Sequence, residues 1–89
     1  MSQNCPNPFS HSTVIGYQLP VSGKVVLKVF DMQGQEVRTL VNNNQPAGKH
    51  SLVWDGKNNS GNAVEPGVYF YHLKAGNDFS GNRKMLLLK

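Results

Sequence analysis

The stretch Gly67-Val68-Tyr69-Phe70-Tyr71-His72-Leu73-Lys74-Ala75 decides the fold, because it carries the strongest β-strand signal in this 89-residue chain. Aromatic and β-branched side chains are favoured on the pleated, half-buried surface of a sheet. Tyr69 and Tyr71 alternate in phase with Leu73, so these three side chains are expected to share one buried face of the strand. Pro66-Gly67 provides a turn signal at its start.

Weaker strand signals of the same kind lie on both sides of this stretch, between clusters of Gly, Pro, Asn and Ser that favour turns. We expect these strands at residues 13–19, 24–30, 36–41, 50–55 and 83–88, with turns at 31–35, 42–48, 56–62 and 76–78. No stretch has a sustained apolar repeat of 3.6 residues, so no substantial helix is expected. Short strands at this spacing predict an all-β, immunoglobulin-like or fibronectin III-like β-sandwich of about seven antiparallel strands.

The chain is long enough for one domain. We expect residues 1–11 to form an extended lead-in or linker, because Pro6 and Pro8 exclude a helix there, with Phe9 reaching the edge of the core. Residues 12–89 are expected to form the sandwich. Its predicted core consists of Val25, Leu27, Val29, Trp54, Tyr69, Tyr71 and Leu73.

Composition and charge exclude several classes of protein. The net charge is +4, but the basic residues are scattered along the chain except at Arg83-Lys84, whereas nucleic-acid-binding proteins concentrate them in a patch. The single cysteine, Cys5, allows no intrachain disulfide. No apolar run reaches the length of a membrane-spanning helix, and the N-terminus lacks the features of a signal peptide.

Catalytic and metal-binding patterns are weak. His11, His50 and His72 are far apart, and nothing pairs them with a nucleophile as a catalytic triad requires. Asp31 and Asp55 end strands, where carboxylates commonly accept hydrogen bonds from turn amides. We therefore expect no enzymatic activity, no metal ion and no cofactor.

The oxygen-rich loop at residues 55–62 is the best candidate for a calcium site. A calcium loop of the helix–loop–helix type needs oxygen ligands at alternate positions and a closing Glu. Lys57 occupies the third position and Pro66 the twelfth, with Glu65 one place early. The pattern favours a β-turn loop over a calcium site.

Carbohydrate binding is an alternative, because sandwich domains can use exposed aromatic rings as sugar platforms. Trp54, Tyr69 and Tyr71 would supply the rings. Trp54 alternates in phase with Leu52, however, as the two tyrosines do with Leu73. Aromatic residues in phase with aliphatic ones are more often part of the core.

The final residues, 84–89, read Lys-Met-Leu-Leu-Leu-Lys and are too short to span a membrane. They fit a strand buried on both faces, or a sheet edge offered to a partner. Unpaired backbone groups at such an edge could be recognised by strand addition.

Several motifs together resemble a known family. Gln3-Asn4-Cys5-Pro6-Asn7-Pro8-Phe9-Ser10 followed by Ser12-Thr13-Val14-Ile15 resembles the opening QNYPNPFNPSTTI of type A sorting domains of the bacterial type IX (Por) secretion system. The resemblance continues in order through residues 27–37, 45–48, 54–56, 61–62, 67–71 and 84–89. Cys5 stands where the family usually has Tyr, and His11 where it often has Pro. The pattern also overlaps the immunoglobulin-like domain of flagellar hook-capping proteins.

This resemblance implies a function. Such domains end large exported proteins, and the type IX translocon in the outer membrane recognises them after passage through the periplasm. A sortase-like peptidase then removes many of them as the cargo reaches the cell surface or is released. We expect a non-catalytic C-terminal sorting and anchoring module, attached to an upstream catalytic domain. The expected recognition element comprises Lys84, Met85, Leu86, Leu87, Leu88 and Lys89.

Two other functions stay open from the sequence. One is a carbohydrate-binding accessory domain of a secreted polysaccharide-degrading enzyme. The other is an assembly domain of the flagellar hook-cap type.

Overall fold

A computed structural model describes residues 3–76 and 79–88, and these residues form an all-β fold. The strands are β1 (Thr13–Leu19), β2 (Gly23–Phe30), β3 (Glu36–Gln45), β4 (Gly48–Trp54), β5 (Gly67–Ala75) and β6 (Phe79–Leu87). The predicted immunoglobulin-like sandwich is confirmed, with six strands in place of about seven. The lead-in does not add a seventh strand, because its backbone pairs with β1 and β6 only at two isolated bridges, at Cys5 and at Phe9.

The six strands form two sheets whose pairings are all antiparallel. One sheet has two strands in the order β1-β4, and the other has four in the order β3-β2-β5-β6. Leu27 of β2 lies between Val41 of β3 and Leu73 of β5. Opposite residues point to the same face of a sheet, so these three form one row of the core.

The core lies between the sheets. Alternate residues of β1, β2 and β5 are buried in it, whereas β3 and β4 each contribute one buried residue, Val41 and Trp54. All seven core residues predicted from the sequence are buried. Among the residues whose side chains the structure describes, the buried apolar set is Phe9, Ile15, Tyr17, Leu19, Val25, Leu27, Val29, Val41, Trp54, Tyr69, Tyr71, Leu73, Met85 and Leu87.

The turn between β2 and β3 forms as its residues predict. Asp31 Oδ1 accepts hydrogen bonds from the backbone amides of Gln33 (2.9 Å) and Gln35 (3.0 Å). Gly34 has a φ of 81°, a conformation that favours glycine. A register shift between Val29 and Phe30 marks a β-bulge beside this turn.

Two strands, β3 and β6, extend four residues beyond a predicted bound, whereas β2 and β4 differ from their predicted bounds by one or two residues. Residues 42–45 were expected in a turn, but they extend β3 and pair with residues 23–26 of β2. That prediction is wrong because an edge strand can be held by backbone bonds alone, and Asn42, Asn43 and Asn44 keep their side chains exposed. The final strand begins at Phe79 and not at residue 83. Of the turn predicted at 76–78, Asn77 and Asp78 lie outside the described residues.

Candidate docking surface formed by the terminal strand and the lead-in

The predicted recognition element lies in and just beyond β6, an edge strand of the four-stranded sheet. Met85 and Leu87 point into the core and are each 1% exposed. Lys84 is exposed, Leu86 is half-buried and Leu88 is 47% exposed. A strand buried on both faces is therefore the wrong interpretation, because one face of this sheet meets solvent. Lys89 lies outside the described residues.

The outer backbone edge of this terminal segment is paired with the lead-in. The Phe9 amide donates to the Leu86 carbonyl oxygen (3.0 Å), and the Leu88 amide donates to the Phe9 carbonyl oxygen (2.7 Å). The Leu86 amide donates to Asn7 Oδ1 at 2.9 Å. Gln3 Nε2 donates to the Lys84 carbonyl oxygen at 2.8 Å. The expectation that this edge would offer unpaired backbone groups is thus wrong for these residues, because the same chain already occupies it.

The lead-in is anchored by one apolar and one polar side chain. Phe9 is 2% exposed and Asn4 is 3% exposed. The backbone N–H of Asn4 donates to the Tyr71 hydroxyl at 2.8 Å, and the side-chain Nδ2 of Asn4 donates to Thr13 Oγ1 at 2.9 Å. Residues 3–9 therefore pack on the sandwich. The position proposed for Phe9 is confirmed. No local sequence pattern predicts the burial of Asn4.

Cys5 joins the lead-in to the two-stranded sheet. Its backbone exchanges two hydrogen bonds of 2.9 Å with Val14, while its side chain is exposed. Because Phe9 pairs with the other sheet, the lead-in bridges β1 and β6 and covers one side of the sandwich.

The Asn4–Tyr71 contact leads to a stability prediction. Replacing Tyr71 by Phe would leave the buried Asn4 N–H without this acceptor, and the expected loss of unfolding free energy is about 1–3 kcal/mol. Urea denaturation near pH 7 would measure the loss. Tyr17→Phe is the matched control, because the Tyr17 hydroxyl donates to the side chain of Gln45, which is half-buried and has access to water. Equal losses in the two variants would contradict a special role for the Tyr71 hydroxyl.

The same phenol makes stability depend on alkaline pH. Burial raises the pKa of Tyr71, and the Asn4 amide and Arg83 oppose this rise. Burial likewise raises the pKa of Tyr17 and Tyr69. The unfolded chain therefore releases these protons first, near the ordinary pKa of about 10. Stability should be retained below that pH and fall as pH rises towards the higher folded pKa values. A Tyr71→Phe variant should lose less stability than the unaltered chain as pH rises through about 10.

The rings of His50 and His72 each contact a neutral oxygen and not a carboxylate. His50 Nε2 lies 2.8 Å from the Pro46 carbonyl oxygen, and its ring stacks on Tyr17. His72 Nδ1 instead contacts Asn82 Oδ1. Among residues 3–76 and 79–88, no three His, Cys, Asp or Glu side chains are close enough to hold a metal ion. Within the same residues, no helix is long and apolar enough to cross a membrane.

The oxygen-rich loop uses its side chains to cap its own backbone. Asp55 Oδ1 accepts from the Lys57 amide at 3.1 Å. Asn58 Oδ1 accepts from the amides of Ser60 and Asn62, each at 3.0 Å. These are the turn contacts that the sequence predicts for Asp and Asn. The interpretation as a turn loop is confirmed.

The three candidate sugar-stacking rings are all in the core. Trp54 and Tyr71 are 0% exposed and Tyr69 is 7% exposed. Trp54 makes edge-to-face contacts with Phe9 and Tyr69, each with ring centroids 5.6 Å apart. A sugar platform built from these rings is therefore excluded.

The fold is a small immunoglobulin-like sandwich in which the lead-in is hydrogen-bonded to the terminal strand. The family model for the FlgD Ig-like domain matches residues 10–78. The chain therefore belongs to the FlgD Ig-like domain family.

Among known proteins, the chain is 39% identical over 54 residues to the basal-body rod modification protein FlgD of Salmonella typhimurium. That match covers 61% of this chain and 23% of the relative, so the chain spans about a quarter of the relative's length. The dimeric latent PorU of Porphyromonas gingivalis superimposes with a TM-score of 0.76 at 18% identity, over 97% of this chain and 9% of PorU.

PorZ of the same organism superimposes with a TM-score of 0.66 at 16% identity, over 98% of this chain and 11% of PorZ. PorZ is described as an essential bacterial surface component of the type IX secretion system. At these identities the two Por structures show a common fold.

Proposed function

We propose that this chain is a non-catalytic C-terminal sorting and anchoring module. It directs an attached exported protein from the periplasm through the outer-membrane type IX translocon to the cell surface. Its partners are the translocon, a sortase-like peptidase and the upstream catalytic domain that it carries.

The observation that carries the proposal is the pairing of the two ends of the chain. The family match covers residues 10–78, whereas two segments that resemble sorting domains, 3–9 and 84–89, lie outside it. The structure brings the described parts of these segments together, since Phe9 bonds to Leu86 and Leu88. A shared role in recognition explains why both segments carry the sorting pattern. The fold shared with domains of PorU and PorZ supports a role in type IX secretion.

The proposal is tested by moving the module to a reporter. Residues 1–89 are fused to the C-terminus of a reporter that carries a signal peptide, in a bacterium with an active type IX secretion system. The fused reporter should become accessible to protease added to intact cells, and the reporter without the module should stay protected. Protection of both reporters would contradict the proposal.

A second candidate is an assembly domain of the flagellar hook-cap type, which the 39% identity to Salmonella FlgD favours. It is tested by replacing the Ig-like domain of Salmonella FlgD with this chain and measuring swimming. Restored swimming would support the assembly function, and non-motile cells with a stably expressed chimera would count against it.

A further inference from the structure

The solvent face of the four-stranded sheet carries a contiguous apolar strip. Phe30 of β2 lies opposite Phe70 of β5, and Val68 of β5 lies opposite Leu86 of β6. Opposite residues on neighbouring strands are within contact distance of each other. Phe70 is 37% exposed, and the other three side chains are half-buried. We define these four residues as the sheet strip.

A small cavity opens beside the sheet strip where the lead-in meets β6. Its volume is about 170 Å³, and it is lined by Asn7, Val68, Lys84, Met85 and Leu86. Small-molecule sites usually measure about 300–1,000 Å³, so this cavity is better suited to one side chain of a protein partner. The lead-in contributes one wall through Asn7, whose side chain caps the Leu86 amide.

Two lysines flank the sheet strip on the side of β5 and β6. Lys84 is opposite Phe70, and Lys74 lies four residues along β5 on the same face. Both lysines are exposed, and neither forms an ion pair with another described residue. Glu36 also reaches this region, but it is already paired with Lys28 at 2.9 Å. The rim therefore lacks negative partners for Lys74 and Lys84 among the described residues.

We propose that the sheet strip, with its cavity and lysine rim, is the surface on which a protein partner docks. The partner has an apolar side chain that enters the cavity and carboxylates that face Lys74 and Lys84. An apolar centre surrounded by polar groups is the usual anatomy of a protein interface. The inference rests on the proposed sorting function: the docking surface extends beyond the terminal residues 84–89 and across β5, and the partner belongs to the translocon.

The test uses the reporter fusion with two kinds of variant. Phe70→Ser removes the most exposed aromatic side chain of the strip, and the double variant Lys74→Glu/Lys84→Glu reverses the charge of the rim without altering packed apolar groups. Each should lower surface delivery about tenfold, as loss of an interface hot spot does. The matched controls, Val53→Ser and Lys49→Glu, alter exposed residues of the two-stranded sheet and should leave delivery within about twofold. Thermal denaturation of each purified domain verifies that the variants are folded.

The outcomes separate this inference from the function on which it rests. If the unaltered module delivers the reporter and the folded charge-reversal variant delivers it equally well, the docking surface is overturned while the sorting function stands. If the unaltered module fails to deliver the reporter to the surface, both the docking surface and the sorting function are overturned. If Phe70→Ser unfolds the domain, the charge-reversal pair decides the question. Equal losses in the control variants would also overturn the inference, because the effect would not be specific to this face.

Discussion

Replacing Trp54 by Ala is expected to lower the free energy of unfolding by about 3–5 kcal/mol, the range for loss of a buried large aromatic side chain. Trp54 is 0% exposed and contacts the rings of both Phe9 and Tyr69. Its indole N–H also donates to the Lys57 carbonyl oxygen at 3.0 Å. Since native proteins have a total stability of about 5–15 kcal/mol, this loss is a large fraction of the total.

Urea denaturation followed by circular dichroism measures this loss, because the variant has no tryptophan left for fluorescence. The control is Val53→Ala, one residue earlier on β4, where the side chain is 59% exposed. That change should stay within about 0.5 kcal/mol, as surface substitutions do. A Trp54→Ala loss below about 1 kcal/mol would contradict the central place of this ring in the core.

Replacing Phe9 by Ala should also cost about 3–5 kcal/mol, although Phe9 lies in a segment that looks like a linker in the sequence. Its ring is 2% exposed and packs edge-to-face on Trp54. The loss should in addition loosen the edge of β6, because the Phe9 backbone bonds to Leu86 and Leu88. Hydrogen exchange at the Leu88 amide should become faster, since local opening governs such exchange.

Exposed His11 provides the control for the lead-in. His11→Ala should change neither the unfolding free energy beyond about 0.5 kcal/mol nor the exchange of the Leu88 amide. If Phe9→Ala were as mild as His11→Ala, the lead-in would be a linker that merely lies against the domain.

Seven of the fourteen buried apolar residues among the described ones were predicted as core, because period-2 alternation reports which face of a strand is buried. Tyr69, Tyr71 and Leu73 show this in β5. The extension of β3 through Asn42–Asn44 could not be predicted, since an edge strand held by backbone bonds leaves no apolar pattern. The pairing of Phe9 with Leu86 was also invisible, because it joins residues at opposite ends of the chain.

At the candidate site, the sequence alone likewise did not show which side chains of residues 84–89 are buried and which face outward. The sequence identified the segment, but three consecutive leucines conceal the alternation between buried and outward side chains. The structure separates them: Leu87 is in the core, while Leu86 and Leu88 reach the surface. Met85 is buried as well. Deleting residues 85–89 should therefore trap a cargo in the periplasm, but it would remove core packing together with any recognition signal.

A sharper variant keeps the core and changes only the outward side chains. Leu86→Ser/Leu88→Ser retains Met85 and Leu87. The matched control is Val14→Ser/Val53→Ser, an opposed pair on the two-stranded sheet with exposures of 44% and 59%. Both double variants should fold, which thermal denaturation would establish before export is compared.

The most direct measurement is the surface delivery of the reporter fused to each of these two double variants in a type IX-secreting bacterium. If the translocon recognises the outward side chains of the terminal strand, the Leu86→Ser/Leu88→Ser fusion will accumulate in the periplasm. The Val14→Ser/Val53→Ser fusion will reach the surface. Equal surface delivery of the two fusions would contradict that claim.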